Sequence, residues 1–267
     1  MHLYHHPLSL DSQKVRMALE EMGIDYTSHH VNPVTGKNLD YQFFSSNRRG
    51  EIPVFSNGAR IILDTVEIIK YIEKIAAVSH GVEEKSFGNP DVEYWMNKVQ
   101  AWDPTYFTLH HIPEKYRTKV FCFLRRVAMA RMVKAPDLAS AYSVKLKEIY
   151  QIMERSKVPE VYTRSSLELV QLLNEAEMVL NEKPFLAGTE FSLADVMLIP
   201  VLARLDALDL EEEHILKRPS LMQYWKTVQQ RPSYKVVIGR FFVGWKKYKT
   251  LFRTWFYFNL RCLVRKY

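Results

Sequence analysis

The sequence predicts an α/β unit followed by an all-helical region, so the expected fold class is α/β plus all-α. Within the first 77 residues, short apolar runs and helical patterns follow the order β-α-β-α-β-β-α, which is typical of a compact α/β unit. A polar segment with Gly81, Gly88 and Pro90 follows, and beyond it strand patterns vanish while apolar residues recur at helical spacing. We therefore predict an α/β domain over residues 1–77, a linker over 78–90, a helical domain over 91–238 and a tail over 239–267.

Each element of the α/β unit has a local signal. A short apolar start at residues 2–4 is broken by Pro7. Residues 12–22 form an apolar stripe at helical spacing, and Gly23 stands where a helix C-cap is expected. The other predicted elements are a strand at 25–31, a turn at 32–36, a short helix at 39–45, hairpin strands at 52–55 and 60–63 around Ser56-Asn57-Gly58, and a helix at 65–76.

Six helices are predicted in the second region. They cover residues 92–106, 114–133, 139–156, 165–180, 193–208 and 220–231. Pro219 opens the last of them and Pro232 follows it, as proline does at helix boundaries.

Composition and charge exclude several classes of protein. Hydrophobic residues make up 47% and charged residues 25%, which is ordinary for a soluble globular protein. Cys122 and Cys262 are too few for a disulfide or metal framework, and neither a signal peptide nor a membrane span is visible. We therefore expect a reducing, cytoplasmic compartment.

The net charge of +7 hides an asymmetry. From His214 onward there are 13 Lys and Arg and no carboxylate, so the preceding chain is acidic overall. A basic end on an acidic body predicts a surface that meets something anionic. We expect no nucleic acid, because the basic residues are confined to one end and no nucleic-acid-binding motif is present.

Four motifs, in order, carry a family resemblance. They are YHHPLSLDSQKVRMALEE at 4–21, NRRGEIPVF at 47–55, LDTVEIIKY at 63–71 and FLAGTEFSLAD at 185–195. Together they resemble the serine-type glutathione transferases, and the closest class looks like the plant tetrachlorohydroquinone-dehalogenase-like transferases. The resemblance implies a thioredoxin-like domain that binds glutathione and a helical-bundle domain that holds a hydrophobic electrophile. Two departures are Asp-Thr in place of the commoner Glu-Ser at 64–65, and Glu51 where many members have Lys or Gln.

The resemblance implies that Ser9 is the catalytic residue. A free thiol with a pKa of about 8.5 is mostly protonated at neutral pH. A hydroxyl donor beside the sulfur, together with the N-terminus of the first helix, favours the thiolate. The structural alternative is that Ser9 caps the helix, although Ser12 is the better cap candidate by position.

The resemblance also implies a set of glutathione-binding residues. They are Lys37, Asn38, Glu51, Ile52, Pro53, Asp64 and Thr65. A cis Pro53 would let the backbone of Ile52 meet the cysteinyl part, and Thr65 at a helix start would bind the γ-glutamyl carboxylate. Asp64 would take the ammonium and Lys37 the glycyl carboxylate. The alternatives are a trans proline, a plain helix cap and a solvated loop lysine.

Three adjacent histidine pairs raise the question of a metal site. They are His5-His6, His29-His30 and His110-His111. Adjacent side chains diverge and no Cys or acidic residue completes a ligand set, so we expect no metal, with glutathione as co-substrate. Asp103, Tyr106, His110 and His111 are instead candidates for the second-substrate cleft. Ser192 and Asp195 form a capping box that we interpret as structural.

The tail at 239–267 holds eight Lys or Arg, ten aromatic residues and no acid. As one helix it places Phe241, Trp245, Tyr248, Phe252, Trp255 and Phe256 on one side, and Lys246, Lys247, Lys249, Arg253, Arg261 and Arg265 elsewhere. That pattern fits a helix at an anionic membrane surface such as the inner face of the plasma membrane, or an aromatic stripe packed on the helical domain.

The principal function predicted is glutathione conjugation, with glutathione peroxidase side activity. The alternative is a non-catalytic glutathione- or ligand-binding protein docked at a membrane. Thiol exchange and reductive dehalogenation are disfavoured, because such enzymes of this fold use a cysteine near the first helix. The resemblance allows a homodimer.

Overall fold

The computed structural model describes residues 1–80, 89–242 and 244–264, and within them all strands come first. The sheet contains β1 (His2–His5), β2 (Thr27–His30), β3 (Val54–Asn57) and β4 (Arg60–Ile62), in the order β2-β1-β3-β4. The strand β1 pairs parallel with β2 and antiparallel with β3, and β3 pairs antiparallel with β4. This is the α/β architecture that the sequence predicts.

Three α-helices accompany the sheet, namely α1 (Leu10–Glu21), α2 (Tyr41–Ser46) and α3 (Thr65–His80). Two short 3-10 helices, Pro33–Thr35 and Lys37–Leu39, lie between β2 and α2. Gly23, at φ 62°, follows the C-terminus of α1 as predicted. The hairpin turn is Gly58-Ala59, one step later than predicted, because β3 continues through Ser56 and Asn57 before Gly58 takes φ 57°.

Apart from an isolated β-bridge between Phe185 and Gly188, the secondary structure of the remaining described chain is helical, and it includes a 3-10 helix at Pro136–Leu138. Its elements are α4 (Pro90–Ala101), α5 (Pro104–His110), α6 (Glu114–Lys134), α7 (Ala139–Arg155), α8 (Pro159–Glu182), α9 (Leu193–Ala207), α10 (Glu211–His214), α11 (Pro219–Val228), α12 (Pro232–Tyr234), a π-helical turn (Lys235–Gly239), α13 (Arg240–Phe242) and α14 (Trp245–Val264). Of the predicted linker, residues 81–88 lie outside the described residues.

Two helix predictions were wrong at their boundaries. The single helix expected at 92–106 is divided into α4 and α5, because Pro104 cannot continue α4 and Asp103 instead caps α5 through the Thr105 N–H at 2.9 Å. The helix expected from residue 165 begins at Pro159, at the first-turn position that proline favours.

The core joins the two parts of the chain. One buried apolar cluster includes Leu3 and Val15 from the first unit together with Met197 and Leu202 of α9. A second cluster places Phe44 of α2 in a parallel stack with Tyr142 of α7, at a centroid distance of 4.3 Å. Burying such surfaces excludes water and stabilises the fold. The α/β unit is therefore held against the helical region by its packing on α9 and α7.

Candidate functional site

Three segments named by the resemblance meet at one end of the sheet. The strand β1 runs toward Ser9, while β3, which is antiparallel to it, starts after Pro53, and Tyr4 lies opposite Val54. Since β4 is antiparallel to β3, the chain leaves β4 at the same end and enters α3 at Thr65. The strand directions therefore bring the Ser9, Pro53 and Thr65 segments together.

Ser9 is the N-cap of α1. Its Oγ accepts a hydrogen bond from the Ser12 N–H at 3.2 Å, and the side chain is half-buried. A hydroxyl carries one donor as well as its acceptor sites, so the Ser9 O–H stays available to donate. The expectation that Ser12 is the better cap was wrong, because the helix begins at Leu10 and Ser12 lies buried in its first turn.

The helical region holds the Ser9 segment in place. Arg204 of α9 donates from Nη2 to the carbonyl of Leu8 at 2.6 Å, and burial lowers the pKa of Arg204 to about 10, which leaves it charged at neutral pH. Lys14, also buried, donates to Asp11 at 2.9 Å and to Gln100 of α4 at 2.8 Å. Burial lowers the pKa of Lys14, while the Asp11 carboxylate acts in the opposite direction.

Sequence reasoning did not identify Arg204 or Gln100. Each lies in a helix more than 80 residues from its partner, and a lone basic or amide residue in an amphipathic helix carries no local signal. Arg204 is the one basic residue of the largely apolar segment 193–205, and that position alone could have raised the question.

A network of amide side chains shapes the loop before β3. Asn38 is buried and its Nδ2 donates to the Gly50 carbonyl at 2.7 Å, while Asn47 Nδ2 donates to the Glu51 carbonyl at 2.7 Å. The Ile52–Pro53 bond is cis, as the resemblance implied. Neither backbone polar group of Ile52 has a hydrogen-bond partner among the described residues, so both are available to a ligand.

The side chains of Asn38 and Glu51 differ in what they offer. Asn38 is committed to the loop, and its Oδ1 is buried without a partner, so it acts here as a brace rather than a surface donor. Glu51 is exposed, and within the described chain its carboxylate forms no ion pair.

The start of α3 presents free backbone N–H groups. Asp64 is exposed and its Oδ1 accepts from the Glu67 N–H at 2.9 Å, so Asp64 caps the helix. Thr65 is 5% exposed and its hydroxyl has no hydrogen-bond partner among the described residues. A helix N-terminus with an uncommitted hydroxyl is a favourable environment for a carboxylate.

Lys37 lies in the turn that precedes Asn38. Its Nζ is 3.5 Å from the Asp40 carboxylate, and its side chain is 57% exposed. The Asp40 carboxylate also forms an ion pair with Arg131, whose Nη2 is 2.7 Å from Oδ1. Because Asp40 is shared between two cations, Lys37 remains able to bind a second anion.

Histidines of the predicted pairs contact neighbouring side chains of the fold. His5 Nε2 is 2.6 Å from Ser28 Oγ, and His110 stacks on Tyr162 with centroids 3.6 Å apart. Across the described residues there is no group of three potential metal ligands. Asp103 is used as the α5 cap described above, and the Tyr106 ring receives the Arg155 guanidinium at 5.5 Å.

The tail helix α14 docks by one face and exposes another. The buried Phe258 meets Phe123 of α6 edge-on at 5.3 Å, and Arg261 donates to the Thr35 carbonyl. The exposed aromatic face, defined by Trp245, Tyr248, Phe252, Trp255 and Phe256, is 47% to 82% exposed. Packing of this stripe on the helical domain is therefore not observed, because other side chains supply the contact.

Three details of the tail prediction were wrong. Phe241 precedes α14, since Gly244 at φ 57° separates the two helical segments. Lys247 is buried and pairs with Asp209 at 2.6 Å, and Arg261 is bonded internally, so neither faces outward. Arg265 lies outside the described residues.

Among the described residues, no helix has the length and apolar character to cross a membrane.

Known proteins resemble this chain in both sequence and fold. It is 56% identical to the glutathione S-transferase TCHQD of Arabidopsis thaliana over 267 residues, which is 100% of both chains. It is 25% identical over 245 residues to the tetrachloro-p-hydroquinone reductive dehalogenase of Sphingobium chlorophenolicum, covering 91% of this chain and 97% of that one. The structure resembles that of Gtt2 from Saccharomyces cerevisiae with a TM-score of 0.64 at 22% identity, covering 89% and 100% of the two chains.

Family models agree with these similarities. The glutathione S-transferase N-terminal domain matches residues 3–83, and the C-terminal domain matches residues 132–232. The predicted fold class is thereby confirmed, and the chain is an enzyme of the glutathione S-transferase family, which uses glutathione as its substrate.

Proposed function

We propose that this enzyme conjugates glutathione to hydrophobic electrophiles, with Ser9 stabilising the thiolate. The observation that carries the proposal is the Ser9 hydroxyl, which caps α1 yet keeps its O–H free to donate. The sulfur of bound glutathione would accept that hydrogen bond, and the exposed N–H groups of the first turn would add to the positive potential. Ser9 itself forms no covalent bond with glutathione or with the electrophile.

The remaining predicted residues hold the tripeptide in this proposal. The backbone of Ile52 beside Pro53 pairs with the cysteinyl unit, and Thr65 with the α3 N-terminus binds the γ-glutamyl carboxylate. Asp64, through its second carboxylate oxygen, takes the ammonium. Lys37 exchanges part of its contact with Asp40 for the glycyl carboxylate.

Two further residues in the predicted set have supporting positions. Asn38 fixes the loop through Gly50, and Glu51 contributes through its place in that loop. Peroxide reduction would use the same thiolate. The sulfur attacks a peroxide oxygen, the O–O bond breaks to release an alcohol after protonation, and glutathione is left as its sulfenic acid. The thiol of a second glutathione then attacks that sulfur, which gives the disulfide and water. A homodimer is the oligomeric state we propose.

Reductive dehalogenation is the less favoured chemistry. The Sphingobium relative is named for it, but among enzymes of this fold such chemistry uses a cysteine near the first helix. Here Ser9 stands there, and the first cysteine along the chain is Cys122 in α6.

Ser9→Ala tests the proposal. We expect conjugation measured over a panel of electrophiles to fall about 10- to 100-fold, as on loss of a preorganised donor to an anion, with much less change in binding to glutathione resin. The variant also loses a cap contributing about 1 kcal/mol. Ser9→Asp, which can cap but cannot donate, should therefore recover stability without activity. Full conjugation activity in Ser9→Ala, or restored conjugation activity in Ser9→Asp, would refute the role of Ser9.

A second candidate function is docking at an anionic membrane surface, with or without catalysis. It is favoured by the exposed aromatic face of α14, beside the exposed Lys246, Lys249 and Arg253. Flotation with anionic liposomes should weaken in the full chain carrying Trp245→Ser and Phe252→Ser, and not in Met178→Ser, a control that is 67% exposed on α8. Equal flotation of both would remove this candidate.

A further inference from the structure

A cavity of about 780 Å³ lies between the first unit and the tail, outside the proposed glutathione site. Its walls come from the His5–Pro7 segment, the C-terminal half of α1, the following loop with β2, the π-helical turn, α13 and one face of α14. The size falls within the range of small-molecule sites. Residues Ser9, Pro53 and Thr65 do not line it.

Three arginines line this cavity. Arg16 comes from α1, Arg240 from α13 and Arg253 from α14, so three separate elements deliver them. Among the described residues, none of the three forms an ion pair. Burial is the largest cause of the lowered pKa of His30, and the charges of Arg16, Arg253 and Arg240 lower it further, so all three act on one ring.

Arg16 is the least expected of the three, because it is only 6% exposed. Its Nε donates to the Tyr26 hydroxyl at 3.2 Å and its Nη1 to the Val237 carbonyl at 3.4 Å, both neutral acceptors. Its Nη2 has no partner within the described chain. Its guanidinium also lies 5.7 Å from the centroid of the Phe241 ring, so all its contacts are with neutral groups. A buried charge is costly unless paired, which favours binding of an anion in this cavity.

The face of α14 that closes the cavity is polar. Thr250, Arg253, Thr254 and Tyr257 follow the spacing of a single helical stripe, opposite in character to the exposed aromatic face. Glu20 and Asp25 also line the cavity and their side chains are exposed, as are those of Arg240 and Arg253, so three guanidinium groups stand against two carboxylates in the lining. Guanidinium forks backed by hydroxyl donors match phosphate groups in particular, since they can bind them in bidentate fashion.

We propose that this cavity binds a phosphate-bearing ligand, either a soluble phosphate ester or the headgroup of a phosphorylated lipid. The inference is independent of the glutathione chemistry and of Ser9. A lipid source would place the headgroup behind α14 while the exposed aromatic face of that helix meets the bilayer. A soluble source would need no such surface.

Calorimetry with inositol trisphosphate, on the full chain, tests the site. We expect one equivalent to bind and Arg253→Glu to weaken the affinity at least about tenfold, because a charge-assisted contact is replaced by repulsion. Lys249→Glu is the matched control, since it makes the same charge change on the same helix at an exposed position outside the cavity. It should alter the affinity no more than about threefold.

Vesicles distinguish the two sources. Phosphatidylcholine vesicles with phosphatidylinositol bisphosphate should sediment the wild type and not Arg253→Glu if the ligand is a headgroup, with competition by inositol trisphosphate. Binding of the soluble ester without vesicle recruitment identifies a soluble ligand. The proposal is overturned if neither probe binds, or if Arg253→Glu and Lys249→Glu weaken the calorimetric binding of inositol trisphosphate equally. Glutathione conjugation, measured in parallel, should be unchanged in both variants.

Discussion

Replacing Asp195 by alanine should damage stability far more than catalysis. The carboxylate is fully buried at the start of α9 and accepts hydrogen bonds from the Leu186 N–H at 3.1 Å, the Ser192 N–H at 2.9 Å and the Tyr224 hydroxyl at 3.0 Å. Burial raises its pKa, and these donors oppose the shift. The substitution would strand donors that are themselves buried.

The magnitude follows from those partners. The donors of Leu186 and Tyr224 are out of reach of water, and each unsatisfied group costs about 1–3 kcal/mol. Loss of the cap to Ser192 adds about 1 kcal/mol. Part of this is offset because a buried charge is removed, which leaves about 3–5 kcal/mol of a total of about 5–15.

Urea unfolding at fixed pH, followed by tryptophan fluorescence, measures the effect. Ser192→Ala is the control, since it removes one hydroxyl contact of the same carboxylate and should cost about 1 kcal/mol. Conjugation per folded molecule should stay within about threefold of wild type in both variants. An unchanged unfolding midpoint for Asp195→Ala, or full stability with activity lost, would refute the reasoning.

Three other results are expected. Thr65→Ala should weaken glutathione binding in calorimetry by about 1–3 kcal/mol, since a hydrogen bond to a carboxylate is lost, and unchanged affinity would leave Thr65 without a binding role. Gly50→Ala should lower the free energy of unfolding by about 1–2 kcal/mol, because φ is 62° and a Cβ would lie 3.2 Å from Phe44. Gly58→Ala, at φ 57° in open space, should cost less. Equal losses in the two variants would show that the contact with Phe44 makes no contribution. The pKa of His5 is lowered to about 3 by burial and by nearby Arg16, so below pH 6.5 the unfolded chain binds more protons than the folded chain. The free energy of unfolding should therefore fall as pH drops, by about 2 kcal/mol between pH 6.5 and 5 from this ring. If His5→Gln leaves the dependence of stability on pH unchanged, this expectation is contradicted.

Much of the fold could be predicted from local pattern. The hairpin, the glycine after α1 and the long helices of the second region follow from periodicity and turn chemistry, which act over a few residues. Boundaries were less predictable, because Pro104 and Pro159 set the starts of α5 and α8 and outweigh the apolar stripes around them. The predicted domain limits and site residues remain predictions.

The candidate site was predictable only where it is local. Ser9, Pro53 and Thr65 each lie beside a turn that the sequence indicates, and strand direction brings them together. Arg204 and Gln100 could not be found in this way, because their partners are distant in sequence and only packing makes them neighbours. The same holds for the burial of Lys247, since its partner Asp209 becomes a neighbour only after the tail docks.

The contact of Arg204 with Leu8 bears on how such an enzyme can be recombined or diversify. The serine belongs to the α/β unit, but Arg204, which binds the Leu8 carbonyl, and Gln100, which binds Lys14 of α1, belong to the helical region. We therefore expect that exchange of the α/β unit between transferase classes needs a recipient with a matching cation on α9 and a matching amide on α4. We therefore expect the serine loop and these two helices to change together, although they are far apart in the sequence.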